Sequence, residues 1–286
     1  RGDGEVIGIA VAVEGWSGYF PINHEGGGNM DRALTLDWFE EVLHTTATKI
    51  FHNAMYDVSW IRSLGFQING GIVDTLIAAS LINENRWGYS LNALGKEYVG
   101  MGKNEKILNE AAKDWGVDPK SEMWRLPAPL VGEYAEQDAI VTLKLWHALQ
   151  HEISKQDLWD VFNMETNLFP CLVDMKFKGV RVDIDKAEAL KKQLTVTEKD
   201  MHRDIKKLAG FDVEIWAAAS IAKAFDKEKI PYDRTEKGAP SFTKNFLATH
   251  PAELPKLINE AREINKANTT FIETILKHNH KGRIHS

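Results

Sequence analysis

The sequence is poor in cysteine and has neither a long apolar run nor a phosphate-binding loop. Its single cysteine, Cys171, excludes an internal disulfide and favours a reducing compartment such as the cytoplasm. Cys171 lies in the apolar run from Leu168 to Val173, so we expect its side chain to be buried. The longest apolar runs are too short to span a bilayer. The glycine-rich stretch at 25–29 lacks the Gly-Lys-Ser/Thr signature, which argues against a nucleotide phosphate site there.

The charge is divided unevenly along the 286 residues. Residues 1–150 contain 12 Lys and Arg against 20 Asp and Glu, whereas residues 151–286 contain 23 against 21. The content of 43% hydrophobic and 27% charged residues is typical of a folded globular protein. An acidic half joined to a slightly basic half suits a metal-dependent catalytic unit beside a unit that contacts nucleic acid.

The two halves also differ in their predicted secondary structure. We expect an α/β domain over residues 1–155 and a mostly helical domain over 156–286. The region at about 100–125 is polar and contains lysines, with little periodicity. The predicted strands of the first half lie at 5–13, 19–23 and 49–52, and its predicted helices at 35–43, 76–82 and 130–155.

Two short motifs place a carboxylate four residues after a hydrogen-bonding side chain. The first runs from Asn53 to Asp57 and the second from Tyr134 to Asp138. At that spacing both side chains of a pair share one face of a helix. Each motif alone has an ordinary explanation, because Asn53 could simply start a helix and Tyr134 with Asp138 could lie on a solvated surface. If the two faces meet, they form an acidic pocket suited to a divalent metal ion and a phosphate.

In this order and spacing, the motifs resemble the second and third motifs of the DEDD-type 3′–5′ exonucleases, in the subclass that carries a tyrosine. The surrounding sequence is similar to the proofreading domain of family A DNA polymerases. The hairpin from Ile7 to Ile22, the junction at Asp74-Thr75 and the segment from Ser90 all match. The resemblance therefore implies a ribonuclease H-like exonuclease fold for the first domain.

The resemblance also implies a role for each residue of the two motifs. Asp138 and Asp57 are expected to bind two divalent metal ions, Mg²⁺ or Mn²⁺. Tyr134 is expected to position the attacking water, and Asn53 to contact the terminal nucleotide. For Asp74 we favour a helix cap over a metal ligand, and for His52 a position at the end of a strand.

The second half resembles the start of the polymerase thumb, from Glu165 through Asp183 and on to the loop at 237–241 and the segment at 281–286. A thumb implies contacts of basic side chains with the DNA backbone, independent of sequence and sensitive to salt. We expect a monomer with DNA as partner and no membrane contact. The candidate DNA-contacting residues are Lys191, Lys199, Arg203, Arg234, Lys237, Lys281 and Arg283.

The family's first motif, an Asp-x-Glu within the central strand, has no clear counterpart. Asp3 and Glu5 match the spacing, but they directly precede what resembles the family's second strand. We therefore expect the fold to lack its first strand and the chain to be a fragment of a longer polymerase. The 286-residue chain is accordingly predicted to be a weak or inactive nuclease. Two alternatives stay open, a stand-alone exonuclease of the ribonuclease D kind and a catalytically silent DNA-binding module.

Overall fold

The computed structural model describes residues 4–102 and 105–285. Their contacts divide the chain into two compact units, Arg1–Phe177 and Lys178–Ser286. Short 3₁₀ and π segments occupy Met123–Arg125 and Ala267–Ile272. The strands are β1 (Gly8–Val13), β2 (Trp16–Pro21), β3 (Lys49–Phe51), β4 (Ile72–Asp74), β5 (Val180–Arg181), β6 (Asp233–Arg234), β7 (Pro240–Ser241) and β8 (Arg283–Ile284). The helices are α1 (Arg32–His44), α2 (Ala54–Ser63), α3 (Thr75–Ile82), α4 (Leu91–Tyr98), α5 (Lys106–Trp115), α6 (Ala128–Lys155), α7 (Trp159–Lys178), α8 (Ile184–Ala209), α9 (Ala218–Lys227), α10 (Lys244–Thr249), α11 (Glu253–Lys266) and α12 (Glu273–Lys277). Over the described ranges, none of these helices has both the length and the apolar character that crossing a bilayer requires.

The first unit contains two separate two-stranded sheets. Strands β1 and β2 form an antiparallel hairpin in which Val13 pairs with Trp16. The turn between them includes Gly15, whose φ of 79° favours glycine. Strands β3 and β4 pair in parallel, with Phe51 opposite Asp74, and α2 lies between them in sequence. The predicted strands are therefore confirmed, although β1 begins three residues later than expected and β2 begins three residues earlier and ends two residues earlier.

Helix α6 organises the core of the first unit. Its buried side chains include Val141, Leu145 and Leu149, which recur at helical spacing. This stripe packs against α3 and α4, and the same helix contacts both strands of the hairpin. On a different part of the unit, Ile9 of β1 packs with Phe39 of α1 in a second apolar cluster. The predicted long helix is confirmed, beginning two residues earlier than expected.

One sequence-based expectation in this unit is wrong, and one helix was not identified from the sequence. Cys171 is exposed. Helix α7 buries Phe162, Phe169 and Val173, and Cys171 lies on a different side of the helix from that stripe. The region 100–125 contains α5, whose amphipathic face buries Leu108. A single helix of ten residues between polar segments gives a weak periodic signal, which explains the omission.

The division between the two units falls after α7. The family resemblance places the boundary near residue 155, whereas the contacts group α7 with the first unit. The physical reason is that Phe162 stacks on Trp146 of α6, while Phe169 and Val173 pack with Val58 of α2. The functional division at 155 and 156 stays a prediction.

The second unit is helical, as predicted, and is built around one apolar cluster. Asp183 caps α8 by accepting a hydrogen bond from the N–H of Lys186, and Gly210 ends the helix with a φ of 75°. The cluster centres on Phe225, which is fully buried, and it includes Ile205 and Ile258. The Arg262 side chain donates hydrogen bonds to the carbonyl oxygens of Ile215 and Phe242 at 2.7 and 2.9 Å. This partly buried guanidinium thereby ties two loops to α11.

Candidate active site

The turn between β3 and α2 holds Asn53 in a fixed and unusual conformation. Asn53 has φ 63° and ψ 55°, in the left-handed region that asparagine tolerates better than most residues. Its N–H donates to Asp74 Oδ1 at 2.9 Å, and the N–H of Ala54 donates to Asp74 Oδ2 at 2.8 Å. The exposed Asn53 side chain makes no capping hydrogen bond to α2. The backbone therefore fixes Asn53 and leaves its amide available for another partner.

Asp74 is a helix cap, as the sequence suggested, and it caps two helices at once. Besides the two N–H groups at the start of α2, its Oδ1 accepts from the N–H of Leu76 in α3 at 2.9 Å. The residue is only 7% exposed. A buried carboxylate that accepts three backbone hydrogen bonds links the ends of β3 and β4 to both helices that follow them.

His52 is held at the end of β3, consistent with its expected place. Thr75 donates its hydroxyl hydrogen to the carbonyl oxygen of Phe51 at 3.1 Å. Nδ1 of His52 lies 2.9 Å from the same Thr75 oxygen and therefore donates to it. Thr75 is fully buried, so this pair connects the end of β3 to the start of α3.

Asp57 lies in the first turn of α2, one turn after Asn53. The pKa of its carboxyl is raised from 3.8 to about 6, mainly by burial and to a smaller extent by the nearby charge of Asp74. A backbone hydrogen bond at Asp57 acts in the opposite direction. A carboxylate in this state gains from a nearby cation, because a cation offsets the loss of solvation.

Tyr134 and Asp138 lie one turn apart on α6, whose first turns are fixed by the hairpin. The buried His24 places Nδ1 2.9 Å from the carbonyl oxygen of Leu126, just before the helix. Its Nε2 lies 2.6 Å from the Tyr19 hydroxyl, which donates to it. Further along α6, Ser17 of β2 donates to Glu136 at 3.0 Å. The hairpin thus sets the position of the helix that carries the second motif.

The two motifs converge on one cavity. Although the motifs are some 80 residues apart in sequence, the side chains of both line a cavity of about 1170 Å³ in the first unit. Strands β1 and β3 form further parts of its wall. The arrangement brings together the four residues that the sequence selected, namely Asn53, Asp57, Tyr134 and Asp138.

The cavity offers the kind of ligand that a divalent cation prefers, but it offers too few of them. Asp57 and Asp138 offer carboxylate oxygens, which Mg²⁺ and Mn²⁺ prefer. Within residues 4–102 and 105–285, however, no group of three or more His, Cys, Asp or Glu side chains is placed to hold a metal ion. These two carboxylates would therefore hold a cation together with ligands from water, substrate or another segment.

Several further residues line the cavity that the motifs did not identify. Tyr56 and Trp60 of α2 have ring centroids 6.3 Å apart, and Tyr56 is 60% exposed. Their signal in the sequence is an aromatic pair four residues apart that brackets Asp57. Glu5 also lines the cavity, and its Oε2 accepts a hydrogen bond from Asn23. Asp3 lies outside the described residues.

The candidate DNA-contacting side chains differ in how they are engaged within the second unit. Lys191 pairs with Glu273 at 3.0 Å, and Arg203 pairs with Asp200 at 2.8 Å. Arg234 donates to the carbonyl oxygen of Gly238, and Arg283 donates to that of Lys178. The exposed residues Lys199, Lys237 and Lys281 form no ion pair in the described part of the chain. All seven side chains therefore remain candidates for contacting DNA. The three lysines are the most available of them, because no ion pair within the described residues engages them.

Known proteins resemble this chain over nearly its whole length. A DNA-directed DNA polymerase of Pseudomonas phage M6 is 32% identical over 292 residues, covering 100% of this chain and 44% of the relative. DNA polymerase I of Pseudomonas aeruginosa is 26% identical over 300 residues, covering 99% of this chain and 32% of the relative. The chain thus spans less than half the length of these curated relatives.

A solved structure shares the fold. It is described as the POL domain of Pol1 from M. smegmatis in complex with DNA primer-template and dNTP, and its TM-score is 0.72 at 18% identity. The match covers 98% of this chain and 45% of the other. A family model described as 3′–5′ exonuclease matches residues 3–154. The α/β exonuclease fold of the first unit and the helical second unit are those expected. The chain belongs to the 3′–5′ exonuclease family of the family A DNA polymerases.

Proposed function

We propose that the chain is the proofreading 3′–5′ exonuclease and thumb portion of a family A DNA polymerase. Its reaction is hydrolysis of the terminal phosphodiester at the 3′ end of DNA, which releases nucleoside monophosphates. The observation that carries the proposal is the convergence of Asn53, Asp57, Tyr134 and Asp138 on one cavity. Helix α2 and the N-cap residue before it supply the first pair, and helix α6 supplies the second.

Each of the four side chains has a distinct task in this proposal. Asp57 and Asp138 hold divalent cations, which would activate water and neutralise charge that develops on the phosphate. The Tyr134 hydroxyl, on the same helical face as Asp138, orients the attacking water. Asn53 presents its amide to the terminal nucleotide, and its left-handed backbone fixes the direction of that amide.

The proposed partner is DNA, and the second unit contributes backbone contacts. The related structure from M. smegmatis contains primer-template DNA, which supports a DNA-binding role for this fold. Lys199, Lys237 and Lys281 are the basic side chains best placed to contact phosphates, because they are exposed and form no ion pair within the described residues. Such contacts weaken steeply with salt.

The comparisons favour this proposal over a stand-alone ribonuclease D-like nuclease. The relative from phage M6 aligns over the entire chain, so its similarity includes the helical second unit. A relative from Salmonella phage PMBT28, named DNA polymerase DpoZ, aligns over 93% of the chain at 30% identity. A stand-alone nuclease would share the first unit alone with these polymerases.

The test is trimming of a 5′-labelled single-stranded oligonucleotide with Mg²⁺, using the full-length protein that contains this chain. Asp138→Ala should lower the trimming rate at least about a hundredfold, since removing a carboxylate that holds the cation forfeits several kcal/mol of transition-state stabilisation. Asp37→Ala, on the exposed side of α1, is the matched control and should leave the rate unchanged. Unchanged trimming by Asp138→Ala would refute the assignment.

The same assay distinguishes the proposed nuclease from the remaining alternative. A catalytically silent DNA-binding module would bind the oligonucleotide without shortening it in either Mg²⁺ or Mn²⁺. The 286-residue chain alone is predicted to trim weakly or not at all. Robust Mg²⁺-dependent trimming by this chain that is lost on Asp3→Ala would contradict that prediction.

A further inference from the structure

The glycine-rich loop at 24–29, which lacks a phosphate-binding signature, packs against the segment that leads into α6. The N–H of Glu25 donates to the carbonyl oxygen of Trp124 at 2.8 Å. The N–H of Ala128, the first residue of α6, donates to the carbonyl oxygen of Gly27 at 3.0 Å. The backbone of the loop is therefore bonded to both ends of the short segment that enters the helix.

The side chain of His24 is bonded to the middle of that segment. His24 is only 3% exposed, and both of its ring nitrogens have a partner. Nδ1 lies 2.9 Å from the carbonyl oxygen of Leu126, which can only accept, so Nδ1 carries the hydrogen and donates it. Nε2 accepts from the Tyr19 hydroxyl at 2.6 Å. Burial lowers the pKa of the His24 ring, although the bond to Leu126 raises it to a smaller extent, so the ring stays neutral and keeps this pattern.

The backbone of His24 is held within the loop as well. The N–H of His24 donates to Asn29 Oδ1 at 2.7 Å, and Asn29 Nδ2 donates to the carbonyl oxygen of His24 at 2.7 Å. One amide side chain thus closes the loop on itself at both backbone groups of His24. The imidazole is therefore presented to Leu126 from a fixed backbone.

The loop approaches the start of the helix so closely that position 26 requires glycine. A Cβ on Gly26 would collide with backbone atoms of Leu126 and Pro127. Backbone atoms cannot move aside as the end of a flexible side chain can, so a larger residue would push the loop and the helix start apart. Close packing therefore explains this glycine.

Tyr19 extends the contact along α6 towards the second motif. A Cβ on Gly132 would lie 3.5 Å from Cδ1 of Tyr19, so the tyrosine ring lies against the helix there. Gly132 is two residues before Tyr134. Tyr19 and Tyr134 pack against the same buried cluster, which includes Leu126, and both line the cavity. The pair of His24 and Tyr19 thus supports the part of α6 that carries Tyr134.

We propose that His24 is a positioning residue for the trimming reaction, acting through Leu126 and Tyr19 on the start of α6 to fix the Tyr134 hydroxyl at the cavity. The inference rests on the proposed function for the reaction that it names. Tyr134 lies six residues after Ala128, about 9 Å along the helix axis, so a tilt or rotation of the helix start moves its hydroxyl. A displacement of about 1 Å can cost about a hundredfold in rate.

The first test follows Tyr134 without a nuclease assay. The 286-residue chain is labelled with 3-fluorotyrosine, and the fluorine NMR resonance of Tyr134 is assigned by its loss in Tyr134→Phe. His24→Leu removes both hydrogen bonds and should shift or broaden this resonance. The resonance of Tyr232, which packs in the second unit, should stay in place. An unchanged Tyr134 resonance in folded His24→Leu would overturn the proposal, whether or not the protein trims DNA.

His24→Asn is the conservative variant. Its amide N–H lies nearly where Nδ1 does and can still donate to Leu126, whereas the bond to Tyr19 is lost. The Tyr134 resonance should therefore stay close to its wild-type position. A shift as large as that in His24→Leu would show that the bond to Leu126 does not hold the helix start, and the proposal would be wrong.

The second test measures trimming by the full-length protein that contains this chain. His24→Leu should lower the rate per folded molecule at least about tenfold, and His24→Asn should stay within about threefold of the wild type. Leu94→Ala is the matched control, because Leu94 is fully buried in the first unit and lies outside the described lining of the cavity. It should leave this rate unchanged once circular dichroism has corrected for the folded fraction.

The two tests separate this proposal from the proposed function. A shifted Tyr134 resonance with an unchanged rate in His24→Leu would overturn the proposal, as would equal rate losses in His24→Leu and Leu94→Ala. A wild-type protein that does not trim DNA would refute the proposed nuclease. The fluorine resonance alone would then decide whether His24 holds Tyr134 in place.

A pair of glycine variants tests the same contact without changing His24. Gly26→Ala should push the loop away from the helix start and shift the Tyr134 resonance. Gly88→Ala is the matched control, since its Cβ would have open space around it in the described part of the chain. This pair decides the proposal if His24→Leu does not fold. A Tyr134 resonance that is unchanged in Gly26→Ala would overturn it.

Discussion

The two units of the chain distribute their apolar contacts in different ways. Within its described residues, the second unit packs around a single cluster, in which Phe225 contacts Phe242 with ring centroids 4.9 Å apart. Among its described residues, the first unit divides the buried side chains among four clusters, and members of three of them line a large cavity. That cavity is lined by half-buried carboxylates, by Asn53 with its left-handed backbone, and by strands β1 and β3.

This difference in packing predicts which of the two units is the more stable. A contiguous core gives stability at every position that it buries. A cavity lined with carboxylates gives up stability, because groups held ready for a ligand are desolvated or left partly matched. The first unit is therefore expected to be the less stable one in the absence of cations, and its weak points coincide with its candidate site.

The largest expected effect lies in the core of the second unit. Phe225→Ala should lower the free energy of unfolding of that unit by about 4 kcal/mol, since it deletes a fully buried ring from a close-packed cluster. Urea denaturation followed by circular dichroism measures the change. Phe271→Ala, at a ring that is 56% exposed, is the matched control and should change it by less than about 0.5 kcal/mol. Equal losses of stability in the two variants would contradict the claim that the buried cluster stabilises the second unit.

In the first unit, the greatest loss should come from the double cap. Asp74→Ala should destabilise that unit by about 3 kcal/mol, because three backbone N–H groups lose a charged acceptor. Asp31→Ala removes the exposed cap of α1 and should cost only about 1 kcal/mol. Urea denaturation distinguishes the two variants. Similar losses would show that Asp74 acts as an ordinary cap.

The Asp57 carboxyl should make the stability of the first unit depend on pH. Its folded pKa of about 6 exceeds its ordinary value of 3.8, so the folded state holds more protons between these values. This contribution to the free energy of unfolding therefore falls as pH rises from about 4 to 6, by roughly 2 kcal/mol, and stays low above pH 6. Urea denaturation from pH 4 to 8 measures it.

Asp57→Asn is the control for that titration. The variant keeps the shape of the side chain but cannot ionise, so the difference between variant and wild type should grow across this window. A difference that stays constant with pH would contradict burial of the carboxyl. Raised Mn²⁺ concentration should also lessen the decline in the wild type, because a bound cation favours the ionised carboxylate.

The smallest effect concerns Asn53. Asn53→Ala should destabilise the first unit by about 1 kcal/mol, because alanine adopts the left-handed conformation less readily than asparagine. Asn53→Gly should leave stability nearly unchanged, since glycine adopts a positive φ freely. Thermal denaturation compares the two. If the glycine variant is stable yet trims DNA more slowly, the amide acts on substrate, apart from its role in the turn.

The sequence predicted the structural features that depend on residues close together in the chain. The long helix α6 was visible because its apolar stripe depends on residues within a few turns. The exposure of Cys171 was missed because an apolar run does not reveal which face of a helix packs inward. The sequence predicted that Asp74 caps the helix that follows it. It did not show that Asp74 also caps α2, because the N-cap residue of that helix, Asn53, lies 21 residues earlier in the chain.

The same distinction between short-range and long-range features applies to the candidate site. The pairs on α2 and α6 could be identified by spacing, and the family resemblance implied that they meet. The aromatic pair of Tyr56 and Trp60 and the strands that line the cavity depend on tertiary packing, which no local pattern encodes. The roles assigned to the four site residues stay predictions until they are tested in solution.

The most direct test of the account is a titration of the 286-residue chain with Mn²⁺, followed by electron paramagnetic resonance of the free ion. The account predicts that Asp57→Asn and Asp138→Asn each weaken Mn²⁺ binding at least about tenfold, since both carboxylates are proposed to hold cations in one cavity. Asp37→Asn, at an exposed position on α1, should bind like the wild type. Binding that is unaffected by either cavity substitution would contradict the central claim.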